Sequence, residues 1–154
     1  MNPNPTHAKI SQIQSELVAD GSIELIETRT DAIQRGQDLL PYAMSVFIPA
    51  LANRKLLTNL ERMQSLTQAG FNPVPHIAAR RLASEVQLCE FLSRAVDECN
   101  VRRVLLIAGD EPEPVGPFAD TQAVLDSGIL QSCGIKEVSF AGYPEGHSLI
   151  STSS

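Results

Sequence analysis

Basic side chains are in short supply in this sequence. Twelve Lys and Arg stand against 18 Asp and Glu, a net charge of -6. That balance argues against non-specific nucleic-acid binding, which needs basic patches. It leaves room for an anionic ligand held locally by backbone donors. No apolar run is long enough to span a bilayer, so no membrane partner is expected. Residues Met1 to Ala8 hold no basic region followed by an apolar run, so no signal peptide is expected. Cysteine is sparse: Cys89, Cys99 and Cys133 are far apart and form no metal-type or C-x-x-C spacing. The expectation is reduced thiols at packing or surface positions of a cytoplasmic protein. No G-x-G-x-x-G follows any apolar run, which counts against a dinucleotide-binding open sheet. No G-x-S-x-G nucleophile elbow is present either. His76 and His147 fall in different parts of the chain with no identifiable carboxylate partner, so no metal site is expected.

What is present is a repeating alternation. With 43% hydrophobic residues in 154, the chain can build one domain over 1–154 with a real core. Val104 to Ala108 is a continuous apolar run rich in branched residues, read as a strand buried on both faces. It ends abruptly in Gly109-Asp110-Glu111-Pro112. Around it the pattern repeats. Met1 to Thr6 reads as a loose tail, followed by an N-terminal helix over Ala8–Val18 that Asp20-Gly21 ends. A strand is predicted over Ser22–Thr28, a helix over Asp31–Leu40 and a strand over Tyr42–Ile48. Next comes an amphipathic helix over Asn53–Ala69, with Leu56, Leu57, Leu60, Met63 and Leu66 on one face. A third strand is predicted over Asn72–Ala78. Ser84 caps a helix to Cys99, with Gln87 completing a capping box and Leu88, Cys89, Leu92 and Val96 as its apolar face. After the Val104 strand come a proline-rich loop over Glu111–Phe118 and a helix over Ala119–Leu130 with Val124, Leu125 and Ile129 inward. The fifth strand is predicted over Glu137–Ala141, before a serine-rich end. Alternation of this kind means βα units and a parallel sheet. Sequence pattern alone leaves the choice between open sheet and barrel open.

The polar residues of interest fall at the carboxyl ends of these strands, where parallel α/β folds place ligands. They are Glu24 and Glu27, His76, Gly109 and Asp110, then Tyr143 and His147. Each has a plainer reading beside the functional one. Glu24 could face water on an edge strand, and His76 could close its strand. Asp110 could be a turn or capping residue, Tyr143-Pro144 a turn, and His147 part of a loose end.

Ala141-Gly142-Tyr143-Pro144-Glu145-Gly146-His147 resembles the A-x-Y-P-E-x-H segment of methylenetetrahydrofolate reductases. Three further segments match in the same order. Ser22-Ile23-Glu24 is similar to that family's S-F-E, Pro75-His76-Ile77 to its P-H-L, and Gly109-Asp110-Glu111-Pro112 to the end of its R-G-D-x-P. The resemblance implies a (β/α)8 TIM barrel with non-covalent FAD. It implies reduction of 5,10-methylenetetrahydrofolate to 5-methyltetrahydrofolate, with NADH or NADPH as electron donor. It assigns Glu24 as the acid that opens the folate ring and Asp110 as the catalytic aspartate near flavin and pterin. It assigns His76, Gly109, Asp110, Tyr143 and His147 to flavin contacts.

The chain departs from the family pattern at three places. Ala108 stands where the family has arginine, Phe47-Ile48 where it has threonine-tyrosine, and Glu27-Thr28 where it has two prolines. A barrel of this type takes about 250 residues, so the expectation is a partial barrel of about five βα units. Such a chain is expected to expose apolar surface and open strand edges, to self-associate, and to bind FAD poorly. Two alternatives stand beside the reductase: a non-catalytic fragment, and a folate-binding barrel enzyme of another class.

Overall fold

The computed structural model describes residue 18 and residues 21–26, 30–51 and 56–141. Five strands form one parallel sheet in the order of the chain: β1 (Ser22–Glu24), β2 (Ser45–Ile48), β3 (Asn72–Ala78), β4 (Arg103–Ile107) and β5 (Glu137–Phe140). Between them run helices α1 (Thr30–Leu39), α2 (Leu60–Gln68), α3 (Glu85–Cys99), α4 (Thr121–Asp126) and α5 (Ile129–Ser132). Single 3-10 turns at Leu56–Asn59 and Ala79–Arg81 precede α2 and α3. None of the described helices is long and apolar enough to cross a membrane.

The strand order has a physical consequence. Parallel neighbours need a crossover, and crossovers are right-handed almost without exception. When each strand lies beside its predecessor in one constant direction, every crossover lands on the same face of the sheet. The contiguous core agrees. It takes Val46, Ile48, Ile77, Val104 and Leu106 from the strands. From the helices it takes Leu60, Met63, Leu66, Leu88, Phe91, Leu92, Ala95, Val124 and Leu130. The alternate strand residues, Phe47, Val74, His76 and Leu105, lie outside that core. A doubly wound sheet would reverse its strand order at a switch point; the described strands do not. The order is compatible with a partial βα barrel.

This one-sided burial corrects the expectation for the strand at Val104. β4 is buried only at Val104 and Leu106, while Arg103, Leu105 and Ile107 are half-buried. Helices cover one face, and no helix of the described residues covers the other.

Other boundaries shift for local reasons. β2 starts at Ser45 rather than Tyr42, because Met44 N–H bonds Pro41 C=O at 3.3 Å and Ala43 takes φ 61°, a turn that leaves Tyr42 exposed. The segment Leu56–Asn59 is 3-10, so α2 is shorter than predicted. β1 ends at Glu24, although Leu25 N–H still pairs with Phe47 C=O at 2.8 Å. The helix expected over Ala119–Leu130 is two: Asp120 caps α4 by accepting from Ala123 N–H, and the chain breaks at Gly128, φ 68°. The N-terminal helix predicted over Ala8–Val18 lies outside the described residues except for Val18.

α3 matches its prediction in extent but not in face. Ser84 Oγ accepts from Gln87 N–H at 3.1 Å, a cap worth about 1 kcal/mol. The Gln87 side chain reaches past Ser84 to accept from Ala83 N–H at 2.9 Å, so the reciprocal bond of a capping box is displaced by one residue. Leu88, Phe91, Leu92, Ala95 and Cys99 point into the core. Cys89, expected inward, is exposed.

Candidate functional site

Strand register sets out the face that the helices leave uncovered. Glu24 pairs with Phe47, and Phe47 with Val74. Two residues further along β3, on the same face, His76 pairs with Leu105, and Leu105 with Ser139. Glu24 and His76 therefore belong to one surface, with Phe47 between their strands. The Phe47 and His76 rings meet edge to face, centroids 5.9 Å apart at 69°. At this position an apolar ring walls the histidine.

On this face of β3 His76 is half-buried, between Val74 and Ala78, which are both buried. Its Nε2 is buried and has no hydrogen-bond partner. A buried polar atom without a partner costs roughly 1–3 kcal/mol. Burial pushes the imidazole pKa below its ordinary value, and the nearby Glu24 carboxylate opposes part of that shift. Burial therefore favours the uncharged imidazole, with Nε2 left unpaired. Glu24 itself is exposed on β1. That exposure fits the water-facing reading, while the strand register puts it on the same face as His76.

Past the end of β4 the chain turns sharply at Gly109, φ 92°. A Cβ there would meet Glu111 Oε2 at 3.3 Å and Ala78 Cβ at 3.4 Å, on a backbone conformation that side chains rarely adopt. The turn presents Asp110 outward, its side chain 77% exposed. What holds this loop is the Arg80-Arg81 pair just past the end of β3. Arg80 N–H donates to Ala108 C=O at 2.9 Å, and Val115 N–H donates to Arg80 C=O at 2.8 Å. The Arg80 guanidinium donates to the carbonyls of Glu111 (2.7 Å), Pro112 and Ala119 (3.3 Å). Arg81 donates to Glu111 Oε1 at 2.5 Å, Asp110 Oδ1 at 2.7 Å and Ala50 C=O at 2.7 Å. One guanidinium thus ties the carboxyl ends of β2, β3 and β4 together.

Neither arginine was singled out from the sequence. The signal was available: two basic residues directly after one strand, two acidic residues directly after the next, and parallel strands in register. Of the site residues expected from sequence, Glu24 ends β1 and Gly109-Asp110 follow β4, whereas His76 lies inside β3, which runs on through Ile77 and Ala78. Tyr143 and His147 lie outside the described residues. No family model matches the chain.

Proposed function

We propose that this chain carries a reductase site of the methylenetetrahydrofolate reductase type, on a partial (β/α)8 barrel. The observation that supports it most is His76: a half-buried imidazole on the helix-free face, with a buried unpartnered nitrogen, two strands from Glu24 on the same face and near the Gly109-Asp110 strand end. A ligand offering a polar ring edge would satisfy that nitrogen. Leu105 and Ile107, half-buried on the same face, offer apolar contact to a planar ring. These residues fit the ring of a flavin, with His76 and Gly109 holding it. Its diphosphate finds no uncommitted arginine in this loop, because Arg80 and Arg81 are both engaged. On this reading FAD would bind weakly. When bound, FAD supplies hydride transfer from NADH or NADPH to the folate.

The chain's own residues have separable tasks in this reading. Glu24 delivers the proton that opens the five-membered ring of the folate. Asp110, exposed at the mouth and oriented by Arg81, accepts hydrogen bonds from the amino-pyrimidine edge of the substrate. His76 and Phe47 would hold the flavin ring and exclude water from it.

A second reading, a module that binds flavin or folate without turnover, is favoured by the engagement of both arginines. Fluorescence titration with FAD tests the binding common to both. Saturable binding in the micromolar range or weaker, reduced about tenfold or more by His76→Ala, is the expected result. Absence of saturable binding, or affinity indifferent to His76, would remove the site. Turnover then separates the two readings.

A further inference from the structure

Cys89 and Cys133 are 44 residues apart in sequence, with β4 and α4 between them, yet the fold brings their sulfurs to 3.5 Å. Cys89 sits on the exposed side of α3, one residue after the buried Leu88. Cys133 terminates α5, where its backbone N–H bonds Ile129 C=O at 3.0 Å and fixes its position. Its sulfur is partly covered and has two further polar neighbours, Ser93 Oγ and the Cys89 carbonyl, each at 3.9 Å. Burial and the contact with Cys89 push the Cys133 thiol pKa up, so it is held as a thiol. The third cysteine, Cys99, is fully buried, with its sulfur 3.6 Å from Leu60 C=O. One accessible thiol thus faces a sheltered one, and the third is out of reach.

A covalent S–S bond is about 2.0 Å long, so about 1.5 Å separates this contact from a bond. Both sulfurs are on side chains that rotate about Cα–Cβ, and α5 is a single short helix packed on α3.

We propose that Cys89 and Cys133 are a thiol-oxidation site that closes to an intrachain disulfide on reaction with a low-molecular-weight disulfide. Cys89, as thiolate, attacks one sulfur of the small disulfide. That S–S bond breaks, the first small thiol leaves with the proton Cys89 gave up, and a mixed disulfide forms on Cys89. Cys133 then loses its proton and attacks the Cys89 sulfur, expelling the second small thiol, which takes that proton. Two protein thiols are oxidised, one small disulfide is reduced to two thiols, and no other reactant is needed. A dithiol reductant reverses the sequence. The bridge joins α3 to α5 and closes a loop that contains β4, the Asp110 turn and α4. It lies in the helix layer, away from the face that carries Glu24 and His76, so it constrains the loop without entering the proposed site.

The test is exposure of the full chain to oxidised glutathione, followed by thiol counting under denaturing conditions, intact mass and peptide mapping. Free thiols should fall from three to one. The chain should lose the mass of two hydrogen atoms. The Cys89 and Cys133 peptides should be joined, and Tm should rise by about 5–15 °C. Cys133→Ser should stop at the glutathione adduct on Cys89, and Cys89→Ser, at an exposed position, should keep all its thiols. Three surviving thiols in the unsubstituted chain, a persistent glutathione adduct on it, or an intermolecular Cys89–Cys89 dimer would each overturn the proposal.

Discussion

Replacing Arg81 with methionine should cost much more stability than removing the charge of its more conspicuous partner, Asp110. The Arg81→Met change keeps the apolar stem and deletes the guanidinium, and with it the bonds to Glu111, Asp110 and Ala50 C=O. The Arg81 and Glu111 side chains are 19% and 27% exposed. A charge-assisted bond at that depth contributes roughly 1.5–3 kcal/mol. Glu111 Oε2 is already buried without a partner, so losing Arg81 would leave a carboxylate poorly compensated. The Asp110 pair is different: at 77% exposure it is worth about 0–1 kcal/mol after solvent screening. The total for Arg81→Met is about 3 kcal/mol, a Tm decrease of about 6–12 °C for a chain of this size. Asp110→Asn should lower Tm by no more than about 4 °C. Double-mutant cycles by urea unfolding separate the two pairs, with coupling to Glu111 well above coupling to Asp110. Equal coupling, or a neutral Arg81→Met, would refute the idea that this arginine fastens the loop.

Leu106→Ala, on the helix face and 1% exposed, should cost about 2–5 kcal/mol by denaturant unfolding, and its half-buried neighbour Leu105→Ala distinctly less; equal losses would contradict one-sided burial of β4. His76 has a folded-state pKa below its unfolded value of about 6.5. The unfolded chain therefore binds the proton first, so the stability His76 contributes is full above about pH 6.5 and declines as pH falls through its folded-state value. His76→Gln should flatten that part of the stability–pH curve, and an unchanged slope would place the titration elsewhere. Asp110→Asn should lower folate reduction in steady-state assay by far more than its small effect on Tm; a melting loss as large as that of Leu106→Ala would make Asp110 a turn residue.

Periodicity and punctuation located all five strands, and the core faces of α2 and most of α3, because burial against a sheet imposes them locally. Strand alternation also put Glu24, His76 and Asp110 at one end of the sheet. What the local pattern did not reveal depended on neighbours distant in sequence. β4 looks apolar throughout, yet which of its faces is covered follows from the direction of strand addition, not from its residues. The Arg81 tie requires knowing that β3 and β4 are adjacent. Cys89 and Cys133 meet only because Gly128 breaks the expected helix and turns α5 onto α3. Such contacts carry no periodic signal.

The reductase reading is tested most directly by following the two half-reactions in the presence of saturating FAD. Flavin reduction by NADH or NADPH is recorded first, then reoxidation by 5,10-methylenetetrahydrofolate, for the unsubstituted chain and for Glu24→Gln. The expected result is reoxidation by the folate in the unsubstituted chain, slowed by roughly two to four orders of magnitude in Glu24→Gln. Reduction by the pyridine nucleotide should be little changed, because only ring opening needs the acid. No folate-dependent reoxidation in the unsubstituted chain, or equal loss of both half-reactions in Glu24→Gln, would contradict the reading.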